Sequence, residues 1–191
     1  MSKSKNEVTL KITCSMQEFK QILKEKGFKF IEDFLLDDTY FISNLINLKE
    51  MSIREILNNA VILRNVVGYT EKYQSIKLVK KHKEFDSNGN IIKQSKKECY
   101  IKDIEQGREF LKDLGYKELM RIKENGSIFL KNDFEIETKD IKNGDKLIEI
   151  EENDTYKTID SIKEQLKELN LPIDTNDYFI KKAEVELKKV L

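Results

Sequence analysis

Along much of the chain apolar and polar residues alternate, a pattern typical of β-strands that bury one face. We expect the strand predicted at residues 28–42 to contain a turn near Asp37-Asp38. The region 44–59 is ambiguous, and a short helix fits it. The alternation predicts strands at residues 7–13, 28–42, 60–67 and 146–152.

Two Asn-Gly pairs predict tight turns, because these residues readily adopt the positive φ angles that such turns require. The turns are predicted at residues 86–90 and 124–126. Consecutive hairpins imply an antiparallel sheet. The strands that they join are predicted at 72–85 with 90–102, and at 116–123 with 127–138.

Apolar residues spaced three or four apart predict helices between and after these strands. The helix limits are marked by capping residues and glycines at Ser15, Gly27, Asp103 and Gly115. Two further helices are expected near the C-terminus, one over 159–169 and one beginning near 174–176. The order of elements predicts an α+β fold in a single domain, residues 1–191, with residues 1–5 as a disordered tail.

Charge and composition narrow the function classes. The 35 basic and 35 acidic residues cancel, so the whole molecule has no long-range attraction for nucleic acid or an anionic membrane. His82 is the one histidine, and Cys14 and Cys99 are the two cysteines, so a histidine-based triad or a His/Cys zinc site is not expected. No apolar run approaches the roughly 20 residues that span a bilayer, and residues 1–6 lack the apolar segment of a signal peptide, so we expect a cytoplasmic protein.

The sharpest candidate for chemistry is Leu147-Ile148-Glu149-Ile150-Glu151. On a strand, the two glutamates share one face and lie about 7 Å apart. Hard oxygen ligands of this kind suit Mg²⁺ or Mn²⁺, with a phosphate completing the coordination. The alternative is an ordinary amphipathic strand with a solvated glutamate face.

Isolated basic residues interrupt other strands. Glu7 and Lys11 share a face of the first strand, and Arg64, Lys77 and Lys123 stand among apolar residues of later strands. One such residue is an ordinary surface charge, but four on neighbouring strands of a curved sheet suggest a shared basic cavity. Each lysine–phosphate contact there is worth about 4 kcal/mol before desolvation.

Several short segments, taken in order, resemble the CYTH family, which joins class IV adenylyl cyclases and thiamine triphosphatases. Glu7-Val-Thr-Leu-Lys11 resembles the family's opening Glu-x-Glu-x-Lys strand, and the segment around Glu149-Ile-Glu151 resembles its Glu-Ile-Glu ending. Further matching segments include Asp38-Thr-Tyr-Phe41, Ala60-Val-Ile-Leu-Arg64, Ile76-Lys77, Lys123-Glu-Asn125 and Asn176-Asp-Tyr178.

The resemblance implies an antiparallel β-barrel, the triphosphate tunnel, with flanking helices and a helical C-terminus. It implies Glu149 and Glu151 as metal ligands assisted by Glu7, with Mg²⁺ or Mn²⁺ as the cofactor. The implied phosphate contacts are Lys11, Arg64, Lys77 and Lys123. The ligand would be ATP, thiamine triphosphate or tripolyphosphate, either hydrolysed or, for ATP, cyclised. No nucleic-acid or membrane partner is expected, and a homodimer is left open.

The sequence also departs from the family pattern. Thr9 replaces an acidic residue, Asn125 replaces an arginine, and one arginine near Arg64 is replaced by Ile62 or Val66, depending on the register. Neither asparagine nor an aliphatic side chain can grip phosphate as the planar guanidinium does. Two alternatives to an enzyme therefore remain, a catalytically impaired module that binds a phosphorylated ligand and a structural protein that reuses the barrel.

Overall fold

In the computed structural model, residues 6–85 and 91–191 are described, and their side chains are described except at positions 83, 85 and 91–94. The tail predicted at 1–5 and the turn predicted at 86–90 lie outside the described residues.

Within residues 6–85 and 91–191, nine strands form one sheet in the order β5-β4-β3-β2-β6-β7-β8-β1-β9, and all neighbouring strands are antiparallel. The α+β class and the antiparallel pairing are therefore confirmed. The strands are β1 (Glu7–Ile12), β2 (Lys29–Ser43), β3 (Val61–Gly68), β4 (Tyr73–Phe85), β5 (Ile91–Ile101), β6 (Tyr116–Lys131), β7 (Phe134–Ile141), β8 (Lys146–Glu151) and β9 (Ile173–Asp174).

Five α-helices and a short 3₁₀ helix accompany the sheet in the described residues. The Ser15 side chain accepts a hydrogen bond from the Glu18 amide, and Asp103 caps its helix in the same way, as predicted. The helices are α1 (Met16–Glu25), α2 (Ile53–Asn59), α3 (Ile104–Asp113), α4 (Ile159–Leu169), α5 (Lys182–Lys188) and the 3₁₀ helix Leu48–Glu50.

The turn predicted at Asn125-Gly126 is wrong, because β6 runs without interruption past these residues. The reversal lies instead at Asn132 and Asp133, whose φ angles of 47° and 63° suit a tight hairpin turn. Gly126 has a packing role. A Cβ atom placed there would lie 2.0 Å from Cζ of Phe34 on the neighbouring strand.

The turn predicted at Asp37-Asp38 is also wrong, since both residues lie inside the continuous strand β2. Their carboxylates point to opposite faces of the sheet. Each accepts two hydrogen bonds from an arginine on an adjacent strand, Asp37 from Arg121 and Asp38 from Arg64. Two adjacent acidic residues are thus accommodated in a strand because each has its own cation.

The C-terminal segment also differs from the prediction. The last helix begins at Lys182 rather than near residues 174–176, because Ile173 and Asp174 pair with β1 as β9. The next residues continue along β1, where the Thr9 amide donates to the carbonyl of Tyr178. The chain therefore follows an edge of the sheet before it turns into α5.

Helices lie on both faces of the sheet. On the convex face, α1 and α4 pack against β1, β7 and β8, and α3 packs against β3 and β4. On the concave face, which we call the cup, α2 and α5 cover one end through an apolar cluster that includes Ile56 and Leu187. Val79 of β4 and Leu147 of β8 belong to this same cluster, although four strands separate them, so the sheet is strongly curved.

The predicted closure of the sheet into a barrel is not confirmed. Among the described residues, the edge strands β5 and β9 are not hydrogen-bonded to each other. The architecture is an open, curved, antiparallel sheet. In the same part of the chain, no helix combines the length and the apolar character needed to cross a bilayer.

Candidate functional site

Three glutamates converge on the concave face where β1 and β8 pair. Glu7 lies directly opposite Glu151 in this ladder, and Thr9 lies opposite Glu149. Because opposed residues of an antiparallel pair share a face, the three carboxyl groups project together into the cup. One oxygen from each of Glu7, Glu149 and Glu151 lies within 4.8 Å of the others.

The donor set of these three glutamates fits a divalent metal ion. Two oxygens on opposite sides of Mg²⁺ are separated by about 4.2 Å, and by about 5 Å around Ca²⁺, since the metal–oxygen distances are about 2.1 and 2.5 Å. The 4.8 Å limit on the oxygen separations therefore requires only a small movement of the side chains. Carboxylate oxygens are also the ligands that Mg²⁺ and Mn²⁺ prefer.

A buried lysine, Lys139 on β7, balances part of this acidic charge. Its side chain is only 7% exposed, and its Nζ atom lies 2.7 Å from Glu149, 3.6 Å from Glu137 and 3.8 Å from Glu124. A lone ammonium would be costly at such a position, and the surrounding carboxylates offset that cost. Burial would lower the pKa of Lys139, but these carboxylates raise it above its ordinary value.

The carboxyl groups around Lys139 are affected unequally. Burial would raise the pKa of Glu149, but the charges of Lys139 and Lys182 outweigh burial and lower it. Burial raises the pKa of Glu137, and the carboxylates of Glu149 and Glu124 raise it further. The charge of Lys139 lowers the pKa of Glu137 but does not cancel these effects. Glu149 therefore has the lower pKa of these two glutamates and is the more readily ionised, which is what a metal ligand requires.

Glu124 on β6 is a buried acidic group of the cup and is 1% exposed. One of its oxygens accepts a hydrogen bond of 2.7 Å from Lys182 on α5. The other, Oε1, has no hydrogen-bond partner in the described part of the chain. Since a buried oxygen without a donor is unfavourable, this atom favours a further polar group entering the cup.

Arg64 on β3 forms the main cationic group of the opposite wall. Its Nε and Nη2 atoms donate to the two oxygens of Asp38 at 2.7 and 2.6 Å, and the arginine side chain is 14% exposed. Lys77 on β4 lies directly opposite Arg64 in the ladder. Two of the predicted phosphate contacts are therefore neighbours on the concave face.

Lys77 pairs with Glu98 on β5 at 2.8 Å, and Lys96 pairs with the same carboxylate at 2.7 Å. Burial would raise the pKa of Glu98, but hydrogen bonds from the two lysines lower it to about 2. Glu98 should therefore stabilise the folded protein above its unfolded pKa of about 4.3, and this contribution should vanish as the pH falls through the folded value of about 2.

We expect Glu98→Gln to lower the free energy of unfolding by about 1 kcal/mol at neutral pH, a small effect because the pair is partly solvated. Urea unfolding at pH 7 and at pH 2.5 measures it. The difference between the variant and the unaltered protein should be largest above pH 5 and close to zero near pH 2. A difference independent of pH would contradict this assignment.

The structure does not bring the other two predicted phosphate contacts to this wall. Lys11 lies on the concave face, but its Nζ atom is 2.5 Å from Asp145 and its side chain is 49% exposed. Lys123 lies on the convex face, 3.4 Å from Asp37, because its neighbour Glu124 points into the cup. Of the predicted site residues, Glu7, Glu149, Glu151, Arg64 and Lys77 line the cup, Lys11 lies on the same face but pairs with Asp145, and Lys123 lies on the opposite face.

Sequence reasoning missed four charged residues of the cup, namely Glu124, Glu137, Lys139 and Lys182. Two of them carried a readable signal, since residues 134–141 alternate and place Glu137 and Lys139 on one face of β7. Glu124 was hidden by its assignment to a turn. Lys182 gave no signal, because only the tertiary placement of α5 brings it to the cup.

Comparison with known proteins supports the resemblance found in the sequence. No protein-family model matches the chain. A curated protein of Methanocaldococcus jannaschii, described as a "Putative adenylate cyclase", is 29% identical over 190 residues, which is 95% of this chain and 97% of the relative. This relative and the structural neighbours below confirm the resemblance to the CYTH family.

Solved structures share the fold. A protein of Pyrococcus horikoshii superposes with a TM-score of 0.65 at 19% identity, covering 96% of this chain and 99% of its own. A "Putative adenylyl cyclase" from Hippeastrum, described as having a dominant triphosphatase activity, gives a TM-score of 0.62 at 14% identity. The match covers 98% of this chain and 97% of the Hippeastrum protein.

Proposed function

We propose that this protein binds a triphosphate compound together with Mg²⁺ or Mn²⁺ in the cup and hydrolyses it. The observation that carries the proposal is the convergence of Glu7, Glu149 and Glu151 within 4.8 Å, on the same face as Arg64 and Lys77. Carboxylates for a cation and cations for phosphate are the two halves of a metal–polyphosphate site. The names of the archaeal relative and the Hippeastrum protein point to the same chemistry.

The three glutamates would hold the metal ion, which in such sites neutralises charge on phosphate oxygens. Glu149 is held in place by its 2.7 Å contact with Lys139, so its position does not depend on the ion. Lys182 donates a hydrogen bond to Glu124 deeper in the cup, where the other carboxylate oxygen of Glu124 can accept a hydrogen bond from water or from the ligand.

On the opposite wall, Arg64 and Lys77 would bind the phosphates. Arg64 still has a donor, Nη1, that takes no part in its two contacts with Asp38. The curvature that brings Val79 and Leu147 into one cluster would also bring the two walls close enough for one ligand to touch both. This arrangement is our proposal for a triphosphate tunnel in this chain.

A second candidate function is binding of a phosphorylated ligand without turnover. It is favoured by the fact that each predicted phosphate contact already has an acidic partner, Asp38 for Arg64 and Glu98 for Lys77. The phosphates of a ligand must compete with these carboxylates for Arg64 and Lys77. This competition weakens binding of the transition state as well as of the ground state, so turnover would be slow.

The decisive experiment measures phosphate and pyrophosphate release from ATP, thiamine triphosphate and tripolyphosphate, in Mg²⁺ and in Mn²⁺. We expect turnover by the unaltered protein and a loss of at least about 100-fold in Glu149→Gln, since the variant would hold less of the metal ion, and electrostatic stabilisation of this kind typically contributes about 10²–10³ in rate. Phosphate as the product indicates hydrolysis, whereas pyrophosphate with cyclic AMP indicates cyclisation.

Two further variants separate metal binding from folding. Glu151→Gln removes a ligand that is exposed, so it should weaken Mn²⁺ binding without loss of stability. Glu109→Gln alters an exposed glutamate of α3 on the convex side and should change neither. Equal Mn²⁺ affinity in all of these proteins would remove Glu149 and Glu151 from the metal site, and ligand binding without turnover would support the second candidate.

A further inference from the structure

Two aromatic rings lie on glycines on the concave face. A Cβ atom at Gly68 would lie 2.1 Å from Cε1 of Tyr73, and one at Gly126 would lie 2.0 Å from Cζ of Phe34. In the ladders Tyr73 opposes Gly68, which opposes Phe34, which in turn opposes Gly126. The rings therefore occupy the hollows that the missing side chains leave in the wall of the cup.

The two rings differ in exposure. Phe34 is 5% exposed, as expected for a ring that only fills a hollow, whereas Tyr73 is 41% exposed. The difference cannot come from an orientation toward the outer surface, because Tyr73 lies in the same row of the sheet as Lys139, which is buried in the cup. Tyr73 thus presents an open aromatic surface to the concave side.

The location of Tyr73 relates it to the proposed site. Burial and the nearby charges of Glu32, Glu71 and Glu137 raise the pKa of its phenol, and Glu137 belongs to the carboxylate wall. Along β4, Tyr73 precedes Lys77 by four residues, which is about 13 Å at 3.3 Å per residue. An extended compound with phosphates at Lys77 would therefore place the group at its other end near Tyr73.

We propose that Tyr73 is a stacking surface for a planar heteroaromatic group joined to the triphosphate, so that the substrate is an organic triphosphate and not tripolyphosphate. The inference rests on the proposed function and names the substrate class of that site. Base–aromatic stacking contributes substantially and tolerates any planar ring. The ring can be a nucleobase or the heteroaromatic part of thiamine triphosphate, since both offer the same π surface.

The test compares binding of ATP, thiamine triphosphate and tripolyphosphate by calorimetry, with Ca²⁺ as the metal to slow turnover. Tyr73→Leu keeps an apolar side chain but removes the ring. We expect it to raise the dissociation constant of at least one organic triphosphate by about 5-fold to 160-fold, the range for loss of one base–aromatic stack. Tripolyphosphate should bind within about twofold of the unaltered protein, and Tyr73→Phe should bind the organic compounds normally.

Gly68→Ala provides a second route, because the new methyl group displaces the Tyr73 ring without removing it, and it should give the same selective loss. Phe110→Leu is the matched control, since Phe110 is 57% exposed on α3 at the convex face. The compound with the larger loss identifies the source of the ring. Unchanged or equal losses for all three compounds would overturn this inference and leave the proposed function standing, whereas no binding by the unaltered protein would overturn both.

Discussion

Lys139→Met should lower the free energy of unfolding by about 3–5 kcal/mol in the absence of divalent metal. The substitution keeps the volume of the side chain but removes the cation that faces Glu124, Glu137 and Glu149. Glu124 is 1% exposed, so water cannot replace the lost ammonium. Removing one member of a buried charged group costs far more than the group contributes, because the remaining charges are left uncompensated.

Urea unfolding of metal-free protein measures this loss, with Lys142→Met as the matched control. Lys142 is exposed just beyond the end of β7, so its replacement should change stability by less than about 0.5 kcal/mol. Saturating Mn²⁺ should recover more stability in Lys139→Met than in the unaltered protein, because a cation bound by the folded state alone stabilises it. A loss below about 1 kcal/mol would show that Lys139 is not the main compensating charge.

Asp38→Ala should lower the free energy of unfolding by about 3–5 kcal/mol, again because it leaves a buried charge, that of Arg64, without a partner. Its partner Arg64 is 14% exposed and has both hydrogen bonds of the pair on the concave face. The adjacent residue offers a matched comparison on the other face. Asp37 makes the same two-bond contact with Arg121, but the Arg121 side chain is 45% exposed.

Asp37→Ala should therefore cost only about 1 kcal/mol, since a freed Arg121 regains water. Thermal unfolding of the two variants, with and without tripolyphosphate, tests both the stability and the location of Arg64. Tripolyphosphate should raise the melting temperature of Asp38→Ala more than that of Asp37→Ala, because the freed arginine faces the cup only in the first. Equal losses of stability and equal increases in melting temperature in the two variants would mean that Arg64 and Arg121 have equivalent surroundings, which would contradict the location of Arg64 in the cup.

Local pattern was enough to predict most of the strands and their antiparallel pairing. The alternation at residues 7–13 and 146–152 places Glu7, Glu149 and Glu151 on the polar face of each strand, and the structure pairs these two strands. Period-two alternation depends only on backbone geometry, so it survives without knowledge of the partners. The same regularity explains why Glu149 and Glu151 were predicted to share a face, whereas their association with Glu7 was implied by the family resemblance.

The two wrongly predicted turns lie where contacts with a neighbouring strand override the local preference of the sequence for a turn. Asn125-Gly126 has the sequence of a turn, but Phe34 needs the space above Gly126, and the strand continues. Asp37-Asp38 is unfavourable in a strand until Arg64 and Arg121 are placed beside it. Neither partner can be inferred from the local sequence, because each belongs to a different strand.

The turn error also misdirected the site. With Glu124 inside a strand, alternation puts Lys123 on the convex face and Glu124 in the cup, the reverse of what the Lys-x-Arg resemblance implied. Lys182 could not be placed at all, since nothing in the local sequence indicates that α5 folds across the concave face. The sequence and the family resemblance thus predicted the cluster of Glu7, Glu149 and Glu151, whereas the acidic residues Glu124 and Glu137 and the basic residues Lys139 and Lys182 were missed.

The unpaired edges of the sheet affect its mechanics. A closed barrel has a circumference set by its strand number and stagger, because every strand is held on both sides. Here the ladder runs from β5 to β9 without joining them in the described residues, so no hydrogen bond fixes the span between these two edges. In this part of the chain, the width of the cup between β4 and β8 is therefore held by side-chain packing in the apolar cluster that contains Val79 and Leu147, and not by a closed ladder of hydrogen bonds.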